Sequence, residues 1–246
     1  MDGLDTLDQN GFAIVADVLS GGEADELVEA LGAVRPGSRL ERAGEVYASR
    51  NLLADIPEVR RIAEGSRLSG LVQSVLGPGA FVVRGLLFDK TPTANWGVPW
   101  HQDLTIAIKR RVDAPGFGPW TVKGGVPHVR PPIDVLERMV TIRLQLDDAG
   151  LEDGPLLVVP GSHRQGRLDV AASQEWLDKQ TVQTCLVPRG GALMMRPLLL
   201  HASSPSNGAA HRRVVHLEYA TGPLPFGVEW YEQPPAASLD FERLHA

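Results

Sequence analysis

From residue 80 onward the chain is cut into short apolar runs, and this punctuation constrains the fold more than any other feature. Residues 80–89 (AFVVRGLLFD) are rich in apolar and β-branched side chains and end at a Thr-Pro-Thr-Ala-Asn turn. Runs follow at 139–146 (MVTIRLQL), 155–159 (PLLVV), 183–187, 191–200 (GALMMRPLLL) and 212–220 (RRVVHLEYA), each bounded by Gly, Pro or Asp. Such segments predict strands, and a succession of them after a helical start predicts a β-sandwich or barrel with helices packed outside it. Within 139–146, Arg143 and Gln145 share one face and Ile142, Leu144 and Leu146 the other. The polar pair therefore either lines the barrel or faces solvent.

The first part, about residues 1–79, reads as helical. Ser20 with Glu23 three residues on forms a capping-box pattern, and Leu27, Leu31 and Val34 continue at the helical period, predicting a helix over about 22–34. Pro57 opens a second helix over 57–64; Ser66 and Gly77 bound a third over 67–76, with Gly77 suited to a left-handed cap. Residues 113–132 (DAPGFGPWTVKGGVPHVRPP) show no periodicity and read as a lid-like loop over a binding site. With no repeat or linker, residues 1–246 are expected to form one domain, its β core over 80–220.

A formal net charge of −6 disfavours nucleic acid as a partner, because neutralising phosphates needs a concentrated basic surface. No apolar run approaches the length of a membrane span, and the acidic start MDGLDTLDQNG lacks the flank of a signal peptide. Cys185 is the sole cysteine, so no internal disulfide forms, a cytoplasmic setting is the default expectation, and any metal must take N and O ligands.

His101-Gln102-Asp103 follows the first strand and turn. On extended backbone, residues two apart face the same way, so imidazole and carboxylate can converge on one ion. A His-x-Asp arises by chance about one time in three in a chain of this composition, so a surface polar pair is a substantial competing reading until a third ligand is found. Two histidines and one carboxylate leave coordination positions open, as oxygen activation at Fe(II) needs. His128, His163, His201 and His216 are all eligible as the third; His201 is favoured because it follows the most apolar run of the C-terminal half. Arg212 and Ser203 could supply a cation and a hydroxyl for a dicarboxylate cosubstrate. Arg212 and Arg213 point to opposite faces of a strand, so only one can serve.

The segments QNGFAIVADVLSGGEADELVEAL, VPWHQD, LDDAGLEDGPLLVVPGSHRQG and LLLHASSPSNGAAHRRVVHLEYA, in this order and spacing, resemble the phytanoyl-CoA dioxygenase family of iron(II)- and 2-oxoglutarate-dependent oxygenases. The resemblance implies a mainly β fold with flanking α-helices around a double-stranded β-helix (jelly-roll, cupin-like) core. It implies Fe(II) held by His101, Asp103 and His201, and 2-oxoglutarate whose far carboxylate meets Arg212 and Ser203. With O2, such enzymes oxidise a small-molecule substrate and release succinate and CO2; hydroxylation is the default, with desaturation, epoxidation and ring closure open. Arg143 and Gln145 are further candidates to touch 2-oxoglutarate or substrate, and Trp96, Trp100 and Trp120 to wall the pocket. A cupin-like metal isomerase or hydrolase and a non-catalytic binding protein are the competing readings.

Overall fold

Three antiparallel sheets carry the architecture of the computed structural model, which describes residues 2–32, 39–42, 45–208 and 211–232. The strands are β1 (Phe12–Val15), β2 (Arg39–Arg42), β3 (Glu45–Ser49), β4 (Phe81–Lys90), β5 (Val98–His101), β6 (Ile106–Ala107), β7 (Trp120–Lys123), β8 (Val126–Val129), β9 (Met139–Gln145), β10 (Leu156–Val158), β11 (Gln183–Cys185), β12 (Ala192–Met195), β13 (His201–Ser203) and β14 (Arg212–Ala220). The helices are α1 (Asp2–Asn10), α2 (Gly21–Leu31), α3 (Leu52–Asp55), α4 (Pro57–Glu64), α5 (Ser66–Leu76), α6 (Ile133–Glu137) and α7 (Val170–Lys179).

The major sheet has the order β1-β12-β9-β14-β4-β3-β2, the minor sheet β11-β10-β13-β5, and a third, small sheet β6-β8-β7. From β4 to β14 the chain crosses repeatedly between the major sheet (β4, β9, β12, β14) and the minor sheet (β5, β10, β11, β13). That winding is a double-stranded β-helix, here within a mixed α/β composition.

Alternation along the strands explains the layering. Ile142 and Leu144 of β9 and Val215, Leu217 and Tyr219 of β14 are buried with Leu27 of α2, Val59 and Ile62 of α4, and Leu68 and Val72 of α5. The opposite faces of the same strands carry Arg143, Gln145, Arg212, His216 and Glu218 into the space between the sheets. The Tyr219 hydroxyl donates to the Ala63 carbonyl at 3.0 Å, tying α4 to the central strand.

The helices near 57–64 and 67–76 and the strands near 80–89, 139–146, 155–159, 183–187 and 212–220 lie where the sequence places them. The Ser20–Glu23 capping box is formed, and α2 ends at Leu31; residues 33–34 of the expected helix lie outside the described residues, as do 233–246. Other expectations change. Ser66 begins α5 without capping it, since Gly65 holds the cap position, and Gly77 (φ 82°, ψ 175°) is not a left-handed helical cap. The N-terminal part also contributes β1, β2 and β3 to the major sheet. The apolar run 191–200 is not one strand: after Met195 the chain turns through Arg196–Leu200 and crosses to the minor sheet at His201. Residues 113–132 contain a hairpin, β7–β8, in which Lys123 pairs with Val126 across Gly124 and Gly125, both with positive φ (57° and 77°). A two-residue turn with both φ positive matches the twist of the flanking strands, so the diglycine is what permits the hairpin.

Candidate active site

Register brings the two histidines together. His101 on β5 lies directly opposite His201 on β13, with ring centroids 4.2 Å apart. The Nδ1–H of His101 donates to the Pro99 carbonyl at 2.8 Å and that of His201 to the Leu199 carbonyl at 2.8 Å. These bonds fix the tautomer and leave both Nε2 lone pairs free. Each Nε2 lies 3.8 Å from an Asp103 carboxylate oxygen. One ligand atom from each of His101, Asp103 and His201 lies within 4.8 Å of the others.

Asp103 reaches this point because its neighbour is anchored the other way. Buried Gln102 donates to the carbonyls of Gly166 (2.8 Å) and Leu198 (2.7 Å) and accepts from Leu168 N–H (2.8 Å). The Asp103 N–H bonds the Pro197 carbonyl at 2.9 Å. Gln102→Leu should therefore cost about 1–3 kcal/mol of stability by stranding three backbone groups. By loosening Asp103 it should also weaken divalent-metal binding by roughly 10–100-fold. Thermal unfolding and a metal titration read the two effects separately.

The electrostatics suit a bound cation. Asp103 Oδ2 is buried without a hydrogen-bond partner among the described residues. Burial would raise this carboxyl, but the charges of His201, His216, His101 and Arg143 hold it down to about 2. Burial lowers His201 to about 4 against the pull of Asp103, so its imidazole is neutral and able to ligate at pH 7. The neutral His201 imidazole and the His101 ring opposite it, beside an ionised carboxylate with an orphaned oxygen, make a donor set that fits a first-row divalent ion such as Fe(II).

A cavity of about 190 Å³ opens from the triad and is lined by Arg212, Ser203, Lys90, Arg143 and Trp96, among others. Arg212 faces inward, donating to the Gly154 carbonyl and, at 3.3 Å, to that of Asp153. Gly154 (φ 62°) is needed there, because a Cβ would collide with the Ser204 carbonyl oxygen. Arg213 faces outward to Asp147, which answers which of the paired arginines can serve.

Lys90, missed in the sequence, lies opposite Arg212 in register and donates to Ser203 Oγ at 3.1 Å. Burial, then the charges of Arg212 and Arg143, pull its pKa down to about 7; burial and Arg143 pull Arg212 to about 10. Three crowded cations beside a hydroxyl make a socket for a carboxylate. Gln145 is not in this cavity; it lines a small adjoining space with Arg143 and Arg212 and donates to the Asp147 carbonyl at 3.1 Å.

His216, one of the eligible third ligands in the sequence, lines the cavity beside the triad. Its Nδ1 accepts from Arg143 at 2.9 Å, and its Nε2 lies 3.5 Å from Glu218, which pairs with Arg84 at 2.9 Å. His163 is structural, with Nε2 3.3 Å from the Asp8 carbonyl, and His128 is buried on β8. Trp120 packs with the third sheet, and Trp100 does not line the cavity.

A facial two-histidine, one-carboxylate cluster between the sheets of a double-stranded β-helix defines a class of metal-dependent oxygenases. Residues 7–214 match the phytanoyl-CoA dioxygenase family, and the chain belongs to that family of iron(II)- and 2-oxoglutarate-dependent oxygenases. It is 27% identical over 170 residues to ectoine dioxygenase of Halomonas elongata, covering 65% of this chain and 45% of that protein. It is 25% identical over 212 residues to L-proline trans-4-hydroxylase of Streptomyces griseoviridis, covering 75% and 71%. The match thus spans about half the length of the ectoine dioxygenases. The crystal structure of EctD from S. alaskensis with 2-oxoglutarate and 5-hydroxyectoine superposes with a TM-score of 0.72 at 20% identity, covering 96% of this chain and 82% of that one. This likeness establishes the shared fold.

Proposed function

We propose that the chain is an Fe(II)- and 2-oxoglutarate-dependent oxygenase that hydroxylates a small organic metabolite, with His101, Asp103 and His201 as the iron ligands. The observation that carries the reading is the pairing of this cluster with a buried cationic socket in one cavity. The overall reaction converts substrate C–H, O2 and 2-oxoglutarate to substrate C–OH, succinate and CO2. Iron(II), when bound, would supply the O2 chemistry that couples decarboxylation to substrate oxidation.

The protein's own residues do the rest. Arg212, with Lys90 and Ser203, would hold the far carboxylate of 2-oxoglutarate, and the backbone-anchored imidazoles keep both ligand nitrogens aimed at one point. Metal-dependent isomerases, hydrolases and non-catalytic binding proteins leave the three-cation socket unexplained. Ectoine and L-proline, named for the relatives, are small organic molecules, which supports the substrate class. No described helix is long and apolar enough to cross a membrane. The buried, lone Cys185 suits a reducing cytoplasmic setting.

Incubation with Fe(II), ascorbate, 2-oxoglutarate and air should release succinate in a metal-dependent way, and a true substrate should accelerate it. Protein that binds both metal and 2-oxoglutarate yet forms no succinate with any of a broad substrate panel would contradict the reading. A second expectation concerns protons. Because Lys90 is neutral above about pH 7 in the free protein and charged beside a carboxylate, 2-oxoglutarate binding should take up a proton above that pH and weaken as pH rises. Calorimetry in buffers of different ionisation enthalpy checks this; a buffer-independent enthalpy at pH 8 would refute it.

A further inference from the structure

On the other side of Asp103 lies a second cavity, of about 210 Å³, that shares Phe88, Asp103 and His216 with the first. The proposed metal centre therefore stands at the junction of two chambers. If 2-oxoglutarate occupies the Arg212 chamber, the second is left for the molecule to be oxidised.

Three cations line it: Arg84 from β4, Arg50 just before α3, and Lys123 from the β7–β8 hairpin. Arg84 is neutralised by Glu218 at 2.9 Å. Among the described residues no carboxylate pairs with Arg50 or Lys123; Lys123 donates only to Thr105 Oγ1 at 3.3 Å. Both are half-buried, and burial together with the charge of Arg84 lowers the pKa of each. Two carboxylates share this cavity with the three cations, but Glu218 is already paired with Arg84 and Asp103 belongs to the proposed metal cluster, so the crowding of Arg50 and Lys123 is relieved when an anion joins them. Neither is a freely solvated surface charge, because each is half-buried and lines a cavity that reaches Asp103.

We propose that this second cavity is the substrate chamber and that Arg50 and Lys123 dock an anionic substituent, a carboxylate or a phosphate, of the substrate. The inference rests on the oxygenase reading and adds to it the charge of the substrate and the residues that select it. It gives the hairpin a role, since Lys123 is carried into the chamber by β7. The anion end would hold the substrate by its charged group, presenting a carbon elsewhere in the molecule towards Asp103 and its neighbouring histidines.

The test uses the full chain loaded with Mn(II) and saturating 2-oxoglutarate under nitrogen, titrated by calorimetry with benzoate, phenyl phosphate and benzamide. These probes share a ring and differ in charge. An anionic probe should bind at least roughly tenfold more tightly than benzamide, the effect of one charge-assisted contact. Arg50→Gln and Lys123→Met should each remove most of that advantage while leaving 2-oxoglutarate binding intact. Benzoate ahead of phenyl phosphate supports a carboxylate substituent, and the reverse order a phosphate. Equal binding of benzamide, no binding of either anion, or a preference that survives the double variant overturns the inference. Failure of 2-oxoglutarate to bind the Mn(II) protein removes the oxygenase reading and this inference with it. Bound 2-oxoglutarate without anion preference removes this inference alone.

Discussion

Asp103→Ala should abolish measurable succinate formation and weaken Fe(II) or Mn(II) binding by roughly 10²–10³-fold, one ligand's share of a protein metal site's free energy. The fold should survive. Oδ2 has no hydrogen-bond partner among the described residues, so its removal strands no donor there, and the Gln102 anchor stays in place. Added metal should raise the melting temperature of the unmodified protein and not that of the variant, because only a ligand that binds the native state stabilises it. An Asp103→Ala protein that still turns over 2-oxoglutarate would mean that the carboxylate is not a ligand.

Arg212→Met should raise the 2-oxoglutarate concentration for half-saturation by on the order of 10²-fold or more, the usual result of truncating one partner of a buried charge pair. Metal affinity should change little, since Arg212 donates to the Gly154 and Asp153 carbonyls and not to the triad. Lys90→Met should produce a smaller rise. Its ammonium is already destabilised to a pKa of about 7 by burial and by Arg212, so less charge is lost at neutral pH. Titration of each variant with 2-oxoglutarate under nitrogen, metal present, separates these outcomes. An Arg212→Met protein with unchanged affinity would place the cosubstrate elsewhere.

Much of this was legible in the sequence, for identifiable reasons. The Ser20–Glu23 capping box and Pro57 act within one turn of chain, so α2 and α4 were readable from local spacing. The polar alternation of β9 was visible, but only the second sheet decides that Arg143 lines a cavity and does not face solvent. The same holds for His201. The strand context used to favour it was wrong, because the apolar run is broken at Arg196-Pro197 and His201 starts a strand of the other sheet. What places it is its register opposite His101, a contact across 100 residues that no local pattern encodes.

Other features were hidden by composition or by distance. The Gly124-Gly125 pair was a turn signal inside a segment whose remaining Gly and Pro residues masked it. β1 and β3 have too few residues to show periodicity and become strands by pairing with β12 and β4. Nothing local in the sequence marks Lys90, and Arg50, just before α3, suits a helix-entry role as well as a ligand role. Their importance comes from Arg212 and Arg84, whose neighbourhood the topology creates.

The most direct test of the central claim is the visible spectrum of the protein with Fe(II) and 2-oxoglutarate added under nitrogen. Cosubstrate chelated to iron at His101, Asp103 and His201 predicts a metal-to-ligand charge-transfer band that is absent from Asp103→Ala and His201→Ala. It should form in Arg212→Met only at much higher 2-oxoglutarate. No band from fully metallated, folded protein, or a band that persists unchanged when His201 is removed, would contradict it.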